Sequence, residues 1–197
     1  MDANQNHDKP FFLTFDGAPN PPGTDRILTM LAAHGVRATF FMEGHRVEKE
    51  VECGRRVAAG GHTIGNHTYS HQRFDEMEAD VALVDVQRAD DALQTHLHVK
   101  TNLLRPPWGE TPPETEQRLH QAGYHIFGWT ISIRDWEGPD AAAVADRIIN
   151  GAHPNGIVAL HDHVDWTAEV VDIVIPRLLL LGYDLRGLDE HPAVGFI

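Results

Sequence analysis

The side chains of this 197-residue chain best suited to chemistry are histidines and carboxylates set at the ends of apolar runs, and the chain holds fourteen histidines. His67-Thr68-Tyr69-Ser70-His71 places two imidazoles four residues apart. On a helix that spacing puts both on one face, and at a loop-to-helix junction both nitrogens still reach one metal ion at about 2 Å. The competing reading is a polar loop whose histidines bond backbone groups. Leu160-His161-Asp162-His163 follows an apolar run over 157–160, which sets His161 at a strand end beside a carboxylate. A histidine titrates near neutrality, so a His161 facing Asp16 suits a general acid, against the alternative of a structural histidine satisfied by its neighbours. Asp162 and His163 read as supporting or solvent-facing residues.

Asp16 itself closes the run Leu13-Thr14-Phe15, just before the Gly/Pro turn Gly17-Ala18-Pro19. Arg105 precedes Pro106-Pro107, whose rings fix the backbone, and a buried guanidinium there needs a carboxylate, from Asp16 or Asp135. Trp136 follows Asp135 directly, and its indole face suits either a sugar ring in a cleft or a loop plug. Trp108 and Trp166 carry the same two readings.

These residues need a scaffold that gathers strand ends. Hydrophobic spacing and breakers predict strands over 11–15, 37–42, 63–64, 103–104, 124–131, 156–160 and 183–185. Helices are predicted between them over 24–33, 50–59, 79–97, 112–122, 141–149 and 168–181. The Gly17–Gly23 stretch, with three prolines, reads as a loop that cannot prolong the first strand. Strands alternating with helices imply a parallel sheet. The expected fold is α/β, a distorted (β/α) barrel of about seven parallel strands. Polar signals after many different strands suit one mouth at the strands' C-terminal ends, whereas an open sheet concentrates them at one switch point. The expected organisation is a tail over 1–10 and a single domain over 11–197.

Composition excludes several classes. A net charge of −13 leaves no basic face for nucleic acid or an anionic membrane, so neither is an expected partner. The single cysteine, Cys53, rules out a thiolate metal cluster, and any metal must use His, Asp or Glu. The polar start has no signal-peptide pattern and no apolar run is long enough to span a bilayer, so a cytoplasmic place is expected for the chain as written, or a secreted or periplasmic one for a processed form. No phosphate-cradling glycine motif follows the first strand.

Taken together, Leu13–Asp16 with Pro19, His67-Thr68-Tyr69-Ser70-His71, Arg105-Pro106-Pro107-Trp108-Gly109, Asp135-Trp136 and Leu160-His161-Asp162 resemble, in order and spacing, the five motifs of the NodB-homology polysaccharide deacetylases of carbohydrate esterase family 4. The resemblance covers roughly residues 11–186. It implies a distorted (β/α) barrel and a metal-dependent hydrolase that removes acetyl groups from N- or O-acetylated carbohydrate. By motif, Asp16 is the implied general base, His161 the general acid, and His67 and His71 ligands of a divalent metal, usually zinc. Arg105 is implied to hold Asp16 ionised, and Asp135 to set the protonation of His161.

Two positions depart from the pattern. The family's first motif reads Thr-Phe-Asp-Asp-Gly-Pro with the second aspartate as metal ligand, where this chain reads Thr14-Phe15-Asp16-Gly17-Ala18-Pro19. Anchored on Asp16 and Pro19, the missing residue is the ligand; anchored on Asp16-Gly17, the base is lost instead, and the first register is preferred. Water, Asp16 or a neighbouring carboxylate such as Glu43 then remains to complete the two-histidine site. If Gly17 limits metal affinity, Gly17→Asp tightens zinc binding, and no change means that another residue fills the place. Ser132 stands where the family usually has an aspartate three residues before Asp135, a loss expected to lower the pKa of His161. The alternatives are a silent relative that binds glycan or a partner protein, and a hydrolase of a small amide.

Overall fold

A computed structural model describes residues 9–195, so most of the tail expected over 1–10 lies outside the described residues. Seven strands, β1 (Pro10–Ala18), β2 (Thr39–Met42), β3 (Thr63–Asn66), β4 (Leu103–Leu104), β5 (His125–Ile126), β6 (Gly156–His161) and β7 (Asp184–Leu185), form one sheet. Its order is β5-β4-β3-β2-β1-β6, every pairing is parallel, and β7 pairs with the start of β1. The sheet curls until the segment after β5 returns to the far edge, where Ile131 bridges Val158 of β6. That bridge closes the expected barrel, irregularly.

Helices α1 (Gly23–His34), α2 (Gly44–Lys49), α3 (Val51–Ala59), α4 (Ala79–Leu97), α5 (Pro113–Gln121), α6 (Ala141–Gly151) and α7 (Thr167–Leu180) connect the strands. They cover a sheet whose two faces are both buried, as parallel sheets require. Alternation along each strand separates two apolar layers. Phe11, Leu13 and Phe15 of β1, Phe40 and Met42 of β2, and Val158 and Leu160 of β6 join the helices in the main core. Phe12, Phe41, Leu103, Phe127, Ile157 and Leu188 make a second cluster inside the barrel. Because side chains alternate with a period of two, Thr14 and Asp16 share the inward face with Phe12, and His161 shares it with Ile157. The interior is therefore apolar below and polar at the C-terminal mouth.

Three expectations about elements are corrected. β1 continues through Ala18 instead of ending at Phe15, because its register with β2 slips between Asp16 and Ala18 at a bulge. Gly17, at φ +84°, absorbs the extra residue. A short helix, α2, precedes the one predicted over 50–59; it buries only Gly44 and Val47, too few positions to show a period. The strand predicted over 124–131 survives as a strand only at His125–Ile126, with an isolated bridge at Ile131. Beyond Phe127, whose N–H still donates to the Leu104 carbonyl (2.8 Å), the carbonyls of Phe127 and Gly128 accept from Arg105 instead of a neighbouring strand.

Candidate active site

A cavity of about 680 Å³ opens at the barrel mouth, with Asp16, Gly17, Glu43, His67, His71 and His161 on its wall. Asp16 and His161 are register partners on adjacent strands, so the sheet itself sets a carboxylate beside an imidazole. Strand pairing holds them there before any side-chain bond forms.

Arg105, one residue beyond β4, is fully buried and spends its guanidinium within the barrel. Its Nη1 donates to Asp16 Oδ1 (2.8 Å) and Thr14 Oγ1 (2.5 Å), its Nε to the Phe127 carbonyl (3.1 Å), and its Nη2 to the Gly128 carbonyl (2.7 Å). The Phe41 ring lies 4.2 Å from the guanidinium carbon. Of the two partners open to Arg105 from sequence, Asp16 is the one it meets. Burial pushes the Asp16 carboxyl up, but the charge and hydrogen bond of Arg105, with the neighbouring imidazoles when protonated, outweigh it and hold the group below the ordinary carboxylate value.

His161 is organised from the other side. Asp135, wholly buried in a single turn of 3₁₀ helix (Asp135–Glu137), accepts from the His161 backbone N–H through Oδ2 (2.8 Å) and meets His161 Nδ1 through Oδ1 (2.8 Å). This pairing assigns the proton of Nδ1 to the Asp135 contact and leaves Nε2 for the cavity. Burial lowers the imidazole's pKa, yet the Asp135 hydrogen bond and charge, with Asp16 and Asp162, carry it above its ordinary value. With Ser132 at the departed position, Asp135 makes both carboxylate contacts to His161 and the imidazole stays above its ordinary value.

His67 follows β3 and is buried; its Nδ1 lies 2.7 Å from the Arg105 carbonyl, an acceptor that fixes the proton on Nδ1 and leaves Nε2 with a lone pair. His71 sits in a tight turn, with Thr68 and His71 itself at positive φ, and its N–H donates to Thr68 Oγ1 (3.0 Å). The two rings lie 5.0 Å apart, so the pair meets through a turn and not along a helix face. Burial lowers the pKa of His67, and burial with His67 as neighbour lowers His71 to about 4, so both are neutral near pH 7. Among the described residues, no three His, Cys, Asp or Glu side chains are gathered tightly enough to hold a metal ion. In kind the donors do suit one: two neutral imidazoles on one wall with Glu43 and Asp16.

The tryptophans divide. Trp108 packs against His71 (ring centroids 4.6 Å apart) and Trp136 meets His161 edge-on (5.0 Å), both at the cavity wall. Trp166 instead donates its Nε1–H to the Asp135 carbonyl (3.2 Å) and supports that turn. Sequence reading missed Trp129, Arg46 and the cavity-facing place of His163. Trp129 lay hidden inside a predicted strand. Arg46 had a signal, its place three residues after Glu43 at a helix start, where Nε donates to Glu43 Oε2 (2.9 Å). Asp162, expected to support or face solvent, is buried with Oδ2 accepting from Thr24 Oγ1 (2.5 Å) and Oδ1 without a hydrogen-bond partner; burial lifts its pKa to about 7.

Fold and cavity define a (β/α) barrel with a paired carboxylate and imidazole at its C-terminal mouth. The profile of the family described as Polysaccharide deacetylase matches residues 3–127, and the chain belongs to that family. It is 31% identical to a chitooligosaccharide deacetylase of Rhizobium leguminosarum bv. trifolii, over 96% of this chain and 95% of that protein. It is 29% identical to a peptidoglycan-N-acetylglucosamine deacetylase of Bacillus cereus, over 86% of this chain but only 63% of that longer protein. Among solved structures, it superimposes with a TM-score of 0.87 and 26% identity on a CE4-family pseudoenzyme from Bacillus anthracis, covering 94% of this chain and 66% of that one.

Proposed function

We propose that this chain is a hydrolase that removes acetyl groups from N-acetylated sugar, with Asp16 as base and His161 as acid. The observation that carries the reading is their pairing in register on β1 and β6, each with its own buried counter-charge, at one cavity. Relatives whose names specify chitooligosaccharide and peptidoglycan N-acetylglucosamine point to an acetylated hexosamine as the substrate class.

Asp16, kept ionised by Arg105, accepts the proton of a water that attacks the acetyl carbonyl. So low a pKa makes it a weak base, and a divalent ion on His67 and His71, zinc by preference, would supply when bound the positive charge that acidifies the water and polarises the carbonyl. His161, its pKa raised by the Asp135 carboxylate on Nδ1, donates in its protonated form from Nε2 to the departing amine. Trp108, Trp129 and Trp136 offer ring faces to the sugar.

A second reading, a binding domain without turnover, is favoured by Gly17 alone. Release of acetate from an N-acetylated chito-oligomer or from peptidoglycan, in the presence of zinc, separates the two. The hydrolase reading expects acetate from the wild-type chain and none from Asp16→Asn or His161→Ala. No acetate from either substrate overturns it.

A further inference from the structure

We propose that the Glu43 carboxylate replaces the one missing at Gly17 and, through Oε1, completes with His67 and His71 a site for one divalent cation. The inference rests on the metal-assisted reading above and names the third ligand of that site.

A side chain at position 17 would begin close to a carboxylate that is already there. A Cβ built on Gly17 lies 3.4 Å from Glu43 Oε1, so the space into which an aspartate would extend is filled from β2. Glu43 follows β2 directly, and its N–H donates to the Ala18 carbonyl (2.9 Å), which ties it to the bulge that Gly17 makes. Its two oxygens are unequal. Oε2 accepts from Arg46 Nε (2.9 Å) and lies 3.4 Å from His45 Nδ1, whereas Oε1 has no hydrogen bond among the described residues. Glu43 lines the same cavity wall as His67 and His71. A carboxylate anchored by one oxygen and open at the other is the arrangement that outer partners give to ligating carboxylates.

Asp162 is the rival. Its Oδ1 lies 4.0 Å from the same Cβ position, but the residue is only 1% exposed and does not reach the cavity wall, and its other oxygen is held by Thr24. Glu43, His67 and His71 share one cavity wall, so a single ion between them closes the site.

The test is titration of zinc into the chelator-stripped full chain by calorimetry, with the absorption spectrum of bound cobalt as a second readout and melting curves to confirm folding. Wild type is expected to bind one ion, and Glu43→Gln to weaken it by at least about 100-fold, since losing a direct ligand costs no less than the most that losing an outer partner costs. Asp162→Asn is expected to leave the affinity unchanged. Gly17→Asp alone gains nothing, because Glu43 already lies beside its Cβ and a φ of +84° strains any side chain there, but in the Glu43→Ala background, which empties that space, it restores part of the lost binding and changes the cobalt spectrum.

Equal affinity in Glu43→Gln, or tighter binding in Gly17→Asp alone, overturns the assignment of Glu43 and leaves the hydrolase reading standing. A wild-type chain with no zinc affinity overturns both this proposal and the metal-assisted part of that reading. Acetate release, measured separately, decides whether hydrolysis itself survives.

Discussion

The two sides of the cavity are built to different standards. On the side of β1, β4 and β6, each charged group has a short, buried and mutually consistent set of partners: Arg105 on Asp16, and Asp135 on both nitrogens offered by His161. On the side of β2 and β3, two neutral imidazoles share the wall with Gly17 of β1, and the carboxylate nearest the open Cβ position of that glycine is Glu43 at the end of β2. The first side keeps Asp16, Arg105, Asp135 and His161 of the family's motifs and departs at Ser132, and the second carries the departure at Gly17. On the proposed reading, strand register fixes the proton-transfer half through the pairing of Asp16 with His161, while the ligand half turns on the bulge at Gly17 and the residue that follows β2.

The largest effect expected from breaking the fixed side comes from Arg105→Met. It removes a fully buried cation and strands the Asp16 carboxylate, a kind of change that costs about 3–5 kcal/mol. The expected result is a large fall in the denaturation midpoint at pH 7. The loss should shrink in acid. Asp16 has a folded-state pKa below its unfolded value near 3.9, so the stabilisation is complete above that value and fades as pH falls through the folded pKa. A midpoint that drops equally at pH 7 and in acid would show that the guanidinium acts by packing alone.

Next in size is His161→Ala, expected to lower kcat by about 10²–10⁴-fold while zinc affinity stays as in wild type. An equal fall in zinc affinity would erase the separation between the two sides.

How much of this was legible in the sequence follows the same division. The strand ends were readable because apolar runs stop at Asp16, Leu104 and Leu160, and the barrel was readable because such ends recur along the whole chain. The role of Asp135 toward His161 came from motif order, since twenty-six residues and a turn of 3₁₀ helix separate two groups that only the folded barrel brings together. The breakage of the fifth predicted strand was not legible. It depends on Arg105 capturing the carbonyls of Phe127 and Gly128, a contact between residues more than twenty positions apart. Glu43 was readable only as a strand-end carboxylate; that its Oε1 fills the space beside Gly17 is a property of the bulge, and nothing local in the sequence announces a bulge in a run of Pro, Gly and Ala.

Asp135→Asn tests the fixed side more gently, with a smaller fall in kcat and a change in its pH profile. Asp135 is the main group holding the His161 pKa above its ordinary value, so its neutral replacement lets burial pull that pKa down. The acid is then lost at lower pH, and the alkaline limb of kcat moves to lower pH with it. The stability profile changes with it. In wild type, the contribution of protonated His161 is complete below the unfolded pKa near 6.5 and is lost as pH rises through the raised folded value; Asp135→Asn removes that slope. An alkaline limb that stays in place would assign it to another group.

The smallest effect belongs to the rim that both sides share. Trp129 is 37% exposed, and its ring packs against the backbone of Gly109, where an added Cβ would sit 2.5 Å from the indole. The glycine is what lets the indole lie flat on the Trp108–Gly109 turn, whose two residues both have positive φ. Trp129→Ala removes one aromatic face from the cavity wall without touching a titrating group, which is worth about 1 kcal/mol to a stacked sugar. The expected outcome is a rise of several-fold in KM with kcat and zinc affinity unchanged. A fall in kcat of the same size would mean that Trp129 orients the acetyl group itself, and that the rim belongs with the proton-transfer side of the cavity.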